Sequence, residues 1–553
     1  MTQLSRRGLL TGAGTTAVGL GLTLSGFDTA AAATATKGGA RSPADALVPP
    51  ELVTIAPSDP RYQDLLLRGY NRRTTNSPAV EYVVGDTADV VQAVNAAVAA
   101  GRQIAVRSGG HCLDAMVDNP QVQAVIDFSE MRAVDFDETM NAFAVQPGAT
   151  LGEIYRHLCY GWGVTLPGGV CPTVGAGGHV LGGGFGAISR QYGLIIDHLC
   201  AVEIVVVDAA GTAQAVIATS DQNDPNYDLW WASAGGGGNN FGVTTRYWFR
   251  SPGATGDDPS TLLPPAPAAL MSGEAVWQWS DLGQADFIQL AENFGAWAAA
   301  NSAPGTPTQG LFANLALPRI EAGAVAAVGQ IDPTGSGNQQ VLRSYLSAIG
   351  QGVSATPSVT VSAAQPWLTS TIDVPDSAVA LGVTGPPRWK SNVSVHNQPF
   401  TAAQLAKAYV HQTSSYSGYD NPASTFALTS FGGQINATAG SATAFPHRSA
   451  IMLVAVSTVW DDPTTDSANL AWAQDFFQDL YSATGGVPVL NAQTDGCPPN
   501  WPNVDLVGPP WNTSNDSAGV LYHGANYPRL QQIKAKWDPN NVFRNPLSIA
   551  LPS

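Results

Sequence analysis

GGVCPTVGAGGHVLGGGFG, residues 168–186, sets nine glycines around one cysteine and one histidine, and the reading of this stretch decides the rest of the chain. Glycine weakens helices and strands. It concentrates where the backbone needs positive φ or must approach another group closely. Successive bare N–H groups form a concavity suited to pyrophosphate, and the missing side chains let a flat ring lie against the main chain. A flexible linker would not carry Val170, Val174, Val180, Leu181, Phe185 and Ile188 among its glycines, since these groups favour burial. Nor would it run on into AVEIVVV at 201–207, an apolar segment with strand character. The stretch is therefore expected to be a buried cofactor loop. It is not the dinucleotide fingerprint, because its glycines do not lie between a short strand and a helix with an acid about twenty residues on.

A second glycine pair, RSGGHC at 107–112, follows an apolar strand expected over 103–106. Together RSGGH, GGVCP and GGHVLGGGFG resemble the flavin-linked oxidases of the p-cresol methylhydroxylase (PCMH) superfamily, and specifically its berberine-bridge-enzyme-like branch. NVFRNPLSI at 541–549 is similar to that branch's closing motif. The resemblance runs from about residue 50 to the C-terminus. It implies an α+β, two-domain PCMH-type FAD-binding fold, in which a substrate domain of antiparallel sheet is covered by helices. The FAD domain is expected over 49–255, with a helix over 86–100 started by Asp86 or Thr87, strands over 124–128 and 142–147, and a helix over 151–160. AGGGGNNFG, 234–242, is a further glycine turn, which the resemblance places close to this domain's central sheet, where it helps shape the cofactor side of the fold. A Pro/Gly/Ser-rich stretch, 251–267, marks the boundary to a substrate domain over 256–515, which holds nine of the fourteen tryptophans. Residues 516–553 are expected to return to the FAD domain.

The same resemblance implies roles for particular residues. His111 would bond the flavin 8α-methyl and Cys171 ring carbon 6; imidazole nitrogen and thiolate are side-chain nucleophiles able to add to an electron-poor ring near neutral pH. Arg107, Ser108, Gly109, Gly110, Gly175, Gly177, Gly178, Gly182, Gly183, Gly184, Asn541 and Asn545 would help hold FAD, and no metal is expected. His179 would face the N1/C2=O edge, where a donor or cation stabilises the charge that reduction deposits. Val174 matches the position that controls oxygen access, and valine there accompanies oxidase behaviour. FGGQIN at 431–436 would be a strand whose Gln434 and Asn436 share one face, so that one or both line the pocket. Many relatives that oxidise sugars use two tyrosines as the base; Phe185 and Trp501 stand at those positions here. Tyr522 becomes the first candidate, ahead of His523, Asp505, His396 and Lys390.

Composition sets the outer limits. A chain of 553 residues, 44% apolar and 12% charged, has material for two cores. A formal charge of −17 argues against nucleic acid, an anionic membrane and highly anionic substrates. Five cysteines are too few for a disulfide-stapled scaffold, and pairing among Cys112, Cys159, Cys200 and Cys497 is left open. SRRGLL at 5–10, followed by a glycine-rich apolar run and an alanine-rich segment, reads as a twin-arginine export signal over 1–35. The function expected is a secreted FAD-dependent oxidase with bicovalently bound flavin. It would pass hydride from an alcohol or amine carbon of a small molecule (a sugar, glycosylated or polycyclic metabolite) to flavin N5, and reduce O2 to H2O2. A dehydrogenase using another acceptor and a non-catalytic flavin or ligand-binding protein are the alternatives.

Overall fold

Asp86 starts the first long helix: its carboxylate accepts from the Asp89 N–H at 2.9 Å, and Val90, Ala93, Val94 and Ala97 recur at helical spacing on the buried side of Thr87–Ala99. In the computed structural model, which describes residues 52–373, 377–414 and 418–552, this helix lies between two sheets. The expected export signal lies outside the described residues. The first sheet carries Val80–Val83, Ala124–Asp127 and Ile104–Arg107 in parallel, with Val53–Ile55 antiparallel at one edge. The second is antiparallel and orders Val134–Asp137, Ala142–Val145, Val243–Phe249, Leu199–Val207 and Ala213–Thr219. Alternation sends Val205 and Val207 to the helix while Ile204 and Val206 face the other core. Helix Leu151–Trp162 opens on a capping box, Thr150 with Glu153, and closes at Gly163 with φ 72°.

The second domain is built on one antiparallel sheet. Its main path orders Ser358–Val361, Ala269–Gln278, Ala324–Ile331, Phe312–Pro318, Ser424–Ser430, Met452–Trp460 and Arg388–His396. Helices Gln284–Asn301, Asn338–Ile349, Ala402–Thr413 and Asp466–Leu480 cover one face, where Phe426, Leu428, Val454 and Val456 meet Phe294, Leu346, Leu405 and Phe476. Val393 and Leu453 point the other way and join the core of the first domain. The chain then returns. Helix Tyr527–Trp537 lays the Arg529 guanidinium 3.8 Å over the Trp231 ring, and its buried Lys534 donates to Asn240 O and Asp538 Oδ2, both at 2.6 Å.

Two expectations change at this level. The stretch 168–186 is not loop throughout, because Ala176–Leu181 forms a short helix. The strand expected over 431–436 ends at Ser430; Gly432 and Gly433 take φ of 83° and 62°, and Gly433–Ala437 coils into a 3-10 turn. None of the five cysteines forms a disulfide.

Candidate active site

A cavity of about 430 Å³ lies where the first domain's glycine turns meet the open face of the second domain's sheet. The two glycine motifs are packed backbone to backbone: a Cβ on Gly109 would stand 2.4 Å from Gly175 N, and one on Gly175 would stand 2.1 Å from Ser108 Oγ. Only glycine permits that approach. Ser108 Oγ donates to Pro147 O at 2.5 Å and accepts from the Gly177 N–H at 3.3 Å, so the RSGG turn is tied to the start of the short helix. Gly109, Gly110, Gly175, Gly177 and Gly178 all border the cavity. Beyond its own helix backbone, a Cβ on Gly178 would meet nothing within 4 Å, and one on Gly238 would come no closer than 3.8 Å to any atom outside its chain neighbours, so these positions offer bare backbone to a flat guest. That bare cradle fits FAD.

His111 and Cys171 converge on one hydroxyl. Thr173 Oγ1 lies 2.9 Å from His111 Nε2 and 3.4 Å from Cys171 Sγ, while the imidazole stacks on Tyr70 with centroids 4.4 Å apart. Flavin carbon 6 and its 8α-methyl belong to the same benzenoid ring, so two nucleophiles gathered this closely match that ring's edge. His179 accepts the Gly169 N–H on Nε2 at 2.9 Å, which leaves its proton on Nδ1. Burial lowers its pKa to about 4, which favours the neutral ring with Nδ1–H as a donor. Val174 is half-buried on the cavity wall.

Other residues take places the sequence did not indicate. Arg107 borders the cavity, but its guanidinium turns to Glu81 at 2.8 Å and Asp118 at 3.3 Å, anchoring the motif from beneath. Gly182, Gly183 and Gly184 do not line the cavity. They clear room for Asn500, Phe445 and Ile195, and the Gly184 N–H donates to Asn500 Oδ1 at 2.9 Å. Asn541 is a left-handed turn residue, φ 51°, away from the cavity, whereas Asn545 borders it. Gln434 is exposed and Asn436 donates to Ala450 O at 3.0 Å; neither lines the cavity, and Thr429, the last but one residue of the true strand, does. Tyr522 reaches the wall, but its hydroxyl accepts from the Asn503 N–H at 2.8 Å and donates to Trp501 O at 3.2 Å. Burial pushes that phenol well above 10, and with both hydroxyl contacts made inside the protein Tyr522 braces the 501–503 turn.

The sequence reading passed over the run Gly236, Gly237, Gly238, Asn239 and Asn240, which also lines the cavity. The resemblance gives this turn a part in shaping the cofactor side of the fold without assigning its residues to FAD. Asn240 is held from the far end of the chain, by Lys534 on its carbonyl and by the Ile549 N–H on its Oδ1 at 3.1 Å. Aromatic rings also border the cavity, among them Phe185, Phe312, Trp389 and Trp501.

Residues 78–216 match the family described as FAD binding domain, and residues 499–550 the family described as berberine and berberine like. The fold and the bare-backbone cavity thus define an FAD-linked oxidoreductase. The aclacinomycin-N/aclacinomycin-A oxidase of Streptomyces galilaeus is 46% identical over 556 residues, covering 100% of this chain and 99% of that one. The crystal structure of an aclacinomycin oxidoreductase superposes with a TM-score of 0.86 over 91% of this chain and 100% of the other, at 46% identity. A glycopeptide hexose oxidase complexed with teicoplanin does so with a TM-score of 0.85 over 91% of this chain and 99% of the other, at 39% identity. The chain belongs to the berberine-bridge-enzyme-like FAD-linked oxidases of the PCMH superfamily.

Proposed function

We propose that this oxidase is exported, carries FAD bonded to both His111 and Cys171, and oxidises a hydroxyl or amine carbon of a sugar-bearing or polycyclic small molecule, forming H2O2. The convergence of His111 Nε2 and Cys171 Sγ on Thr173 Oγ1 carries the reading of a double attachment. When bound, FAD supplies the two-electron acceptor that O2 reoxidises. The chain's own residues do the rest. The glycine turns receive the cofactor without side-chain obstruction, and His179 offers Nδ1–H as an uncharged donor. Phe185, Phe312, Trp389 and Trp501 give a broad apolar wall suited to ring stacking. Val174 keeps a small side chain where oxygen must pass.

The substrate class draws support from relatives whose names specify aclacinomycins and hexoses, and from the anionic surface, which disfavours acidic substrates. Export draws support from the SRRGLL segment. Acid precipitation tests the attachment. The wild-type pellet stays yellow, and His111→Ala and Cys171→Ala each leave one bond; flavin released from the wild type into the supernatant refutes the double attachment. Peroxide formed on aerobic incubation with aclacinomycin A or glucose tests the reaction.

A further inference from the structure

His523 is 4% exposed, borders the cavity, and has no role so far. Four polar neighbours on the wall built by the second sheet and the C-terminal segment are engaged within the protein: Ser391 with Ser457 at 2.6 Å, Thr429 with Asn314 at 2.8 Å, and Asn500 and Tyr522 as described, while Asn545 accepts from the Leu547 N–H on its Oδ1 at 2.9 Å. His523 differs. Its Nδ1 is enclosed without a hydrogen-bond partner. Nε2 makes no hydrogen bond to the protein and is not enclosed, and in a side chain this buried its opening is the cavity.

The proton's place follows. A buried N–H without an acceptor is rarer in folded proteins than a buried acceptor without a donor. The enclosed Nδ1 is therefore the bare nitrogen, and Nε2 carries the hydrogen. Burial first, and the neighbouring His447 second, lower the ring's pKa to about 3, so the ring is neutral. A histidine beside a redox cofactor would ordinarily suggest a base. This one is built as a donor.

We infer that His523 presents Nε2–H to the cavity and hydrogen-bonds a hydroxyl or carbonyl oxygen of the substrate. The inference rests on the reading of the chain as an oxidase of oxygenated small molecules, and it adds a polar contact to a cavity also bordered by aromatic rings. Such a donor selects for the oxygen it meets, because an analogue lacking that oxygen leaves the N–H buried and unpaired.

Nitrogen NMR of the holoenzyme labelled with 15N-histidine is the direct test, with the His523 signals assigned by their loss in His523→Phe. At pH 7 the proton is expected on Nε2, and addition of aclacinomycin A should move that N–H resonance. A proton on Nδ1, a charged ring, or no response to the compound while it is being turned over would overturn the inference. Kinetics supply the second arm. His523→Phe should raise KM roughly three- to tenfold with an unchanged visible flavin spectrum, the effect of losing one neutral hydrogen bond. His523→Gln, which keeps a donor, should recover part of it. A shifted flavin spectrum with unchanged KM would make FAD the partner and overturn the substrate contact. If the wild type turns over neither aclacinomycin A nor glucose, the proposed substrate class fails, while the position of the proton on His523 is still decided by the spectrum.

Discussion

Replacing Lys390 with methionine removes the cation that ties three distant segments together beside the cavity. Lys390 Nζ lies 2.9 Å from Asp505 Oδ2 and 3.3 Å from Asp114 Oδ2, and donates to Asn503 Oδ1 at 2.8 Å. The side chains of Lys390, Asp114 and Asp505 are only 3%, 1% and 13% exposed. The two carboxylates fare differently after the change. Asp114 keeps Arg73 at 2.7 Å and the Val504 N–H at 2.9 Å; Asp505 keeps only Gln474 Nε2 at 3.0 Å. A buried charge left this way typically costs about 3–5 kcal/mol. For a cooperative unit of about 250 residues, about 2 °C of melting temperature corresponds to each kcal/mol, so Lys390→Met should melt about 6–10 °C lower. The double variant Lys390→Met with Asp505→Asn removes the stranded charge and should recover more than half of that loss. Calorimetry on the three proteins decides it. A single variant that melts within about 1 °C of the wild type, or a double variant no better than the single, refutes the reasoning.

Gly175→Ala would place a Cβ 2.3 Å from Gly109 N and should sharply lower the flavin absorbance per mole of purified protein; normal flavin content would show that the motif contact is dispensable. Tyr522→Phe leaves the buried Asn503 N–H without its acceptor and should cost about 1–3 kcal/mol of stability, with anaerobic flavin reduction changed less than about threefold. A fall on the order of a hundredfold would restore Tyr522 as the base. Val174→Leu narrows the wall and should slow aerobic reoxidation without changing anaerobic reduction; equal oxygen rates would remove the case for Val174 as the oxygen gate. Acid should also weaken the fold. Burial raises the Asp114 carboxyl, but Lys390 and Arg73 outweigh it and hold its pKa below the usual value, so its contribution is present above about pH 4 and is lost as pH falls through the lower folded pKa. An Asp114→Asn protein should show a flatter loss of melting temperature over that acid range, and parallel curves would assign the acid lability elsewhere.

The parts of the site legible in the sequence were those where a side chain itself announces its chemistry. His111, Cys171 and His179 stand in short motifs, and Asp86 and Thr150 declare helix starts through their own carboxylate and hydroxyl. Glycines say less. Their bare backbone faces open space at Gly178 and Gly238 but a neighbouring side chain at Gly182 and Gly184, and only the tertiary packing separates the two cases. Gln434 and Asn436 were misplaced because the positive φ of Gly432 and Gly433 ends the strand, a local fact that outweighed the likeness of the motif. The bonds joining Lys390 to Asp114 and Asp505, like the enclosed nitrogen of His523, depend on residues hundreds of positions apart or on a cavity wall. No window of sequence contains them.

The grip of the last residues on the first domain fixes when the pocket can exist during synthesis. A nascent chain that has reached residue 498 already contains both glycine motifs, His111 and Cys171. Yet its Gly184 N–H still lacks Asn500, and its Asn240 still lacks Lys534 and the Ile549 N–H. Domains fold as they leave the ribosome, but this cavity draws on segments as far apart in the chain as Tyr70 and Leu547. The lining of the cavity is therefore complete only when the segments around residues 500, 534 and 549 have packed against the first domain.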